Sequence, residues 1–180
     1  MREFNASWIE EFAKNQKVNP VGHSDVVSEF AFQLSRQAFE RNTSLEELSR
    51  EIIKNAFEYS TYTISRNIKT FDLPNQLSQK EILEARLLAQ NILDFVNFWK
   101  PKSVRFAPTL PGYGVIAECS ADIAIDDTLF EIKTVTRTFR AKDLKQLILY
   151  LALQSASGER KWKYAGLFNP RLGVYSKFTI

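Results

Sequence analysis

Histidine, cysteine and methionine each occur once in these 180 residues, as His23, Cys119 and Met1. A single cysteine excludes a disulfide framework and a cysteine-based zinc site. A single histidine excludes any mechanism that needs two imidazoles. His23 follows the breaker Asn19-Pro20-Val21-Gly22, where a surface or helix-capping role is its plainest use. No apolar run reaches the length of a membrane span, and no hydrophobic leader opens the chain. The expectation is a soluble, cytoplasmic protein with no membrane partner. Glycine is also scarce: of six, five lie after residue 101, and this is where the chain changes character.

What the sequence does contain is charge, unevenly placed. Residues 1–100 carry 12 Lys/Arg against 14 Asp/Glu, whereas residues 101–180 carry 12 against 7. A basic excess in one part of a chain points to a polyanionic partner.

Before residue 101 the apolar pattern is helical. Phe4, Trp8, Ile9 and Phe12 predict a short helix over 4–15, and Val27, Phe30, Leu34 and Phe39 a longer one over 24–41. Thr43-Ser44-Leu45-Glu46 matches a capping box and predicts a helix from there to about Tyr59, continuing through 60–70. Asp72-Leu73-Pro74-Asn75 breaks the chain. Ser78-Gln79-Lys80-Glu81 is a second capping box, and its helix should run to about Trp99, ahead of Pro101. Its stripe of Ile82, Ala85, Leu88, Ala89, Ile92, Val96 and Trp99 requires a layer to pack on.

After residue 101 strand-like runs dominate. Ser103–Ala107 reads as a strand and Pro108–Gly112 as a link. Residues 114–135 read as a β-hairpin about Asp126-Asp127-Thr128. A helix over 140–155 is marked by Leu144, Leu147, Ile148 and Leu151, and strands over 164–168 and 174–180 flank the turn Asn169–Gly173. This order predicts an α/β fold with a mixed sheet over 78–180, preceded by a helical extension or cap over 1–77.

The hairpin carries side chains that strands disfavour. Asp122 lies on its first strand; Glu131 and Lys133, two apart on the second, share a face. Cross-strand neighbours on one face lie roughly 5 Å apart, and two carboxylates that close repel unless a cation joins them. Hard oxygens of this kind suit Mg²⁺, with Mn²⁺ as a substitute. Lys133 beside them can stabilise phosphoryl charge or position an attacking water. On the following helix Gln146 and Tyr150 are one turn apart, away from the leucine stripe, so that Gln146 can orient a water or a phosphate. Arg137, Arg140, Lys142 and Lys145 cluster between hairpin and helix, where they can contact nucleic-acid phosphates.

Ala121-Asp122, Glu131-Ile132-Lys133 and Gln146 together resemble the PD-(D/E)xK nuclease superfamily, the restriction-endonuclease-like fold, in the versions found in prokaryotic anti-phage defence and restriction systems. The resemblance covers about residues 78–180, and Ala121 stands where the family name has proline. It implies an αβββαβ core and divalent-metal-dependent hydrolysis of nucleic-acid phosphodiesters, with DNA favoured over RNA and endonucleolytic cutting expected. It also implies metal ligation by Asp122, Glu131 and the Ile132 carbonyl, and a catalytic role for Lys133. Many members add an acidic residue from the helix before the sheet; here the candidates are Glu81 and Glu84, with Glu84 preferred. A different class of function open to the same fold is a non-catalytic nucleic-acid-binding or protein-binding subunit of a larger defence or repair complex. A homodimer would bring two sites to two strands.

Overall fold

The computed structural model describes residues 9–12, 17–67, 73–158 and 162–180. The chain divides into two compact units, Gln16–Asp94 and Met1–Asn15 with Phe95–Ile180. Among the described residues there are four α-helices and a six-stranded mixed sheet, an α/β architecture. No described helix is long and apolar enough to cross a membrane.

The first unit holds α1 (Ser24–Glu40), α2 (Arg50–Asn67) and most of α3 (Gln79–Phe98). Val27, Phe30 and Leu34 of α1 pack with Ala56 of α2 and with Ala85, Leu88 and Ala89 of α3, as the helical spacing requires. α3 opens on the Ser78/Glu81 box. Glu81 accepts the Ser78 N–H at 2.8 Å and its hydroxyl at 2.7 Å, while Ser78 Oγ accepts the Glu81 N–H at 3.3 Å. The other box behaves differently. Glu47 accepts the Ser44 N–H and the Thr43 hydroxyl, which closes a turn of its own. α2 begins only at Arg50, with Ser49 Oγ accepting the Ile52 N–H at 3.3 Å. Buried Leu45 and Leu48 fix the intervening chain in the core.

The second unit is built on the sheet. Its strands are β1 (Glu10–Glu11), β2 (Val104–Phe106), β5 (Ile123–Ile125), β6 (Thr128–Ile132), β7 (Tyr164–Asn169) and β8 (Val174–Thr179), in the order β1-β8-β7-β6-β5-β2. Only β6 and β7 run parallel, joined through α4 (Leu144–Ala156); the other neighbours are antiparallel. A separate ribbon pairs β3 (Thr109–Leu110) with β4 (Cys119–Ser120).

Side-chain alternation sorts the two faces. Phe130 of β6 and Phe168 of β7 meet Phe95 at the end of α3, with Phe95 stacked on Phe168 at 3.8 Å between ring centroids and edge-on to Phe130 at 5.1 Å. On the other face Ala124, Leu129, Ala165 and Leu167 cluster with Leu147 and Tyr150 of α4. Gly166 is required where it stands: a Cβ there would lie 2.4 Å from the Phe130 ring and 2.5 Å from the Ser176 carbonyl oxygen.

Two further expectations change. The helix expected over 4–15 is, at Glu10–Glu11, an edge strand paired with Val174–Tyr175, and Tyr175 donates its hydroxyl proton to Glu10. Both residues of this strand are exposed, so it has no apolar alternation of its own, and buried Phe12 beside it also fits a helical stripe. Residues 4–8 and 13–15 of that expected helix lie outside the described residues, as do 68–72. The first hairpin strand is not continuous, because β4 and β5 belong to different sheets and part at Ala121-Asp122. The compact units part at 94/95, within α3: the early turns of α3 join the helical core, and Phe95 joins the aromatic cluster over the sheet.

Candidate active site

The site lies where β5 leaves β6. Ile123 pairs with Phe130, so one step further Asp122 stands opposite Glu131. There the chain turns away into β4: the Asp122 carbonyl accepts the Ala107 N–H at 2.8 Å, and the Ala121 N–H goes to the Pro108 carbonyl at 3.1 Å. The Ile132 N–H thereby loses its ladder partner. The Asp122 carboxylate replaces it, Oδ2 accepting from Ile132 N at 2.6 Å. Neighbouring N–H groups alternate sides along a strand, and the Lys133 N–H goes to Phe168 of β7 at 2.8 Å. The N–H and C=O of one strand residue address the same neighbour. The Ile132 carbonyl is therefore directed to the Asp122 side of β6.

Glu131 is only 2% exposed. Its Oε1 accepts from Lys133 Nζ at 2.7 Å, while its Oε2 is buried and has no hydrogen-bond partner. Burial pushes its carboxyl above the usual range; the Lys133 ammonium and the interaction with Asp122 oppose this. Lys133 Nζ also donates to Gln146 Oε1 at 2.9 Å. An ammonium can only donate, so the Gln146 oxygen faces Lys133 and its amide nitrogen donates to the Tyr150 hydroxyl. The phenol proton then points elsewhere. Burial raises the Tyr150 pKa, and the charges of Glu131 and Asp122 add to the rise, so Tyr150 remains a neutral donor beside the two acids.

The structure thus brings Asp122, Glu131, Ile132, Lys133 and Gln146 together, with Tyr150, whose ring belongs to the core under α4, as a further member. Glu84 belongs to the helical unit, where its carboxylate accepts the Val21 N–H at 2.6 Å. Glu81, in the same unit, accepts the His23 N–H and contacts the His23 ring nitrogen, each at 2.8 Å. With the Ser78 bonds these hold its carboxyl down at about 2, the His23 N–H contributing most. Among the described residues no three His, Cys, Asp or Glu side chains gather as metal ligands.

No family model, curated protein or solved structure matches this chain. Its function is therefore read from the site.

The basic cluster separates into two kinds of residue. Arg137 forms a forked pair with Asp143, at 2.7 and 2.9 Å, and also donates to the Thr138 carbonyl. This lowers the Asp143 pKa. Asp143 accepts the Arg140 N–H as well, so a 3₁₀ turn over Ala141–Asp143 precedes α4 and delays its start from 140 to 144. Arg140, Lys142 and Lys145 are exposed. Buried Asn169 holds the segment after Lys133 from below: its amide nitrogen donates to the Val135 carbonyl at 2.8 Å and to that of Arg137 at 3.2 Å. Sequence reasoning missed Asp143 and Asn169 as organisers of the site; the acid three residues after Arg140 was the available signal for Asp143.

The donor set suits a hard divalent cation. Two carboxylates and a backbone carbonyl supply oxygen only, and the carboxylate with a buried unanswered oxygen has its other oxygen held by a lysine. Mg²⁺ is commonly bound by one or two carboxylates, with water completing its shell.

Proposed function

We propose that the chain is a metal-dependent nuclease of the PD-(D/E)xK type that hydrolyses phosphodiester bonds, with DNA as substrate and a role as an endonuclease in prokaryotic anti-phage defence or restriction. The observation that carries this reading is Glu131 Oε2: a buried carboxylate oxygen with no donor, across from Asp122 and beside Lys133. A buried anionic oxygen is costly unless something positive answers it, and Lys133 answers only the other oxygen. The helix–strand–strand–strand–helix–strand order from α3 to β7, leaving aside the β3–β4 ribbon, supports the same reading as a restriction-endonuclease-like core.

Asp122, Glu131 Oε2 and the Ile132 carbonyl would hold Mg²⁺ or Mn²⁺, which when bound supplies a Lewis acid for the phosphate and acidifies a ligated water. The protein's own groups do the rest. Lys133 commits two ammonium protons, to Glu131 and Gln146; its third is available to the attacking water or to a non-bridging phosphate oxygen. Gln146 fixes the direction of the Lys133 head group and of the Tyr150 hydroxyl. Tyr150, kept protonated by its surroundings, offers a hydrogen bond to the charge that develops on the phosphate. Exposed Arg140, Lys142 and Lys145 would position the backbone of the nucleic acid without reading its sequence.

The test is plasmid nicking with Mg²⁺, Mn²⁺ or EDTA. Cutting should require metal and fall by about 100-fold or more in Lys133→Ala. A metal-independent gel shift with no cutting by either protein would instead favour a binding subunit.

A further inference from the structure

Just before Asp122 the chain makes the β3–β4 ribbon, and the far end of that ribbon is apolar and in solvent. Thr109 pairs with Ser120 and Leu110 with Cys119, and the same register closes at Tyr113 and Ile116. These two exchange backbone hydrogen bonds: the Tyr113 N–H goes to the Ile116 carbonyl at 2.9 Å, and the Ile116 N–H to the Tyr113 carbonyl at 3.1 Å. Gly114 and Val115 are left as a two-residue turn. Gly114 has φ +60°, as the first central position of a type II′ hairpin turn requires. The stem is anchored, because Leu110 is buried in the cluster that holds Leu147 and Tyr150, and Cys119 packs against that cluster.

Hairpin tips are ordinarily polar because they stand in water, whereas here Val115 is fully exposed and Tyr113 and Ile116 are 60% and 39% exposed. The only charged residue between Thr109 and Ser120 is Glu118, and the register sets it on the stem, opposite Pro111. Apolar residues exposed singly need no account, but three at one projecting end do. Their size limits what they can meet. A stable protein interface takes about 800 Å² from each partner, far more than three side chains on a two-stranded ribbon offer. The minor groove of a DNA duplex is roughly 6 Å wide, and apolar side chains that enter it unstack base steps. The tip is also tied to the acids. Val115 lies seven residues before Asp122, at most about 23 Å along an extended chain, which is the length of about seven base-pair steps.

We infer that this tip is a wedge that enters duplex DNA and unstacks a base step within about seven base pairs of the phosphate held at the acids. Val115 leads, and Tyr113 and Ile116, paired across the ribbon, follow it on one face. The inference rests on the nuclease reading for its choice of partner and adds the substrate class: a duplex that deforms easily, at flexible or mismatched steps, in preference to a stiff one.

Fluorescence from a short duplex whose adenines are replaced by 2-aminopurine tests it, in EDTA so that no strand is cut. This base is quenched when stacked and brightens when released. The wild type should bind the duplex and raise its emission. The double variant Val115→Ser/Ile116→Ser should bind about tenfold more weakly and lose the rise, while the salt dependence of binding stays the same because the phosphate contacts remain. Val115→Leu, which keeps an apolar tip, should keep the rise. Circular dichroism confirms folding, and Val115→Ser alone, at a fully exposed position, guards against loss of the double variant. Absence of duplex binding, binding without a rise, or a rise that persists in the serine variants would overturn the inference. So would self-association of the wild type through the tip with emission unchanged. Plasmid cutting is read separately: metal-dependent cutting without a rise removes the wedge and leaves the nuclease, whereas a rise without cutting keeps the wedge on a binding subunit.

Discussion

A buried carboxylate sets the terms at the scale of the residue. Glu131 has its pKa raised mainly by burial, so its protonated form is favoured in the fold relative to the unfolded chain. The sign follows from linkage: stability from this group is greatest at low pH and is lost as pH rises through its raised value. Without metal, Glu131→Gln should therefore melt within about 4 °C of the wild type near neutral pH, while its cleavage is abolished. A large loss of melting temperature would show that Glu131 serves the fold. Glu81 has the opposite sign. Its carboxyl is lowered to about 2 by the His23 N–H and then by the Ser78 donors. Its contribution is complete above the unfolded value near 4.5 and is lost as pH falls towards 2. Helicity followed by circular dichroism should decline over that window, and Glu81→Gln should be less stable at neutral pH and flatten the decline.

Individual elements explain why some of this could be read from the sequence and some could not. α1 and α3 were legible because a long amphipathic stripe admits only one period, and the Ser78/Glu81 box marks the start of α3 with a reciprocal pair. The Ser44 region carries the same signal, but there the bond partner is Glu47 and a turn forms instead of a helix. β1 was illegible because two residues at a sheet edge have no period of their own. The closeness of Asp122, Glu131 and Lys133 was legible from their spacing about a tight turn. That Asp122 stands where the strand breaks, and substitutes for a ladder acceptor, was not, because the break depends on the β3–β4 ribbon and its pairing with a segment on the far side of a loop. Gly166 offers a test at this scale. Gly166→Ala must displace the Phe130 ring or the Ser176 backbone and should cost about 1–3 kcal/mol in urea denaturation; a neutral substitution would show the packing there to be slack. Asn169→Ala removes the amide that serves the Val135 and Arg137 carbonyls. It should cost about 2 kcal/mol and slow cleavage by loosening the segment after Lys133.

For the molecule as a whole, the sheet unit carries a polar cluster at one end of α4 and, on the chain leading into it, an exposed apolar hairpin tip. In the helical unit Glu81 accepts from His23 and Glu84 from Val21. The charge asymmetry of the sequence falls on the sheet unit, with Arg140, Lys142 and Lys145 exposed near the acids. Replacing these three with alanine should weaken DNA binding and make its salt dependence shallower, because fewer phosphates are neutralised and fewer counterions released, while metal binding stays intact. The proposed function rests on one electrostatic condition, that Asp122 and Glu131 together take up a divalent cation. Calorimetric titration of the purified chain with Mn²⁺ measures that directly. The account predicts saturable binding that is lost in Asp122→Asn and in Glu131→Gln and retained in Glu84→Gln. Equal binding by the wild type and both site variants, or no binding by the wild type, would contradict it.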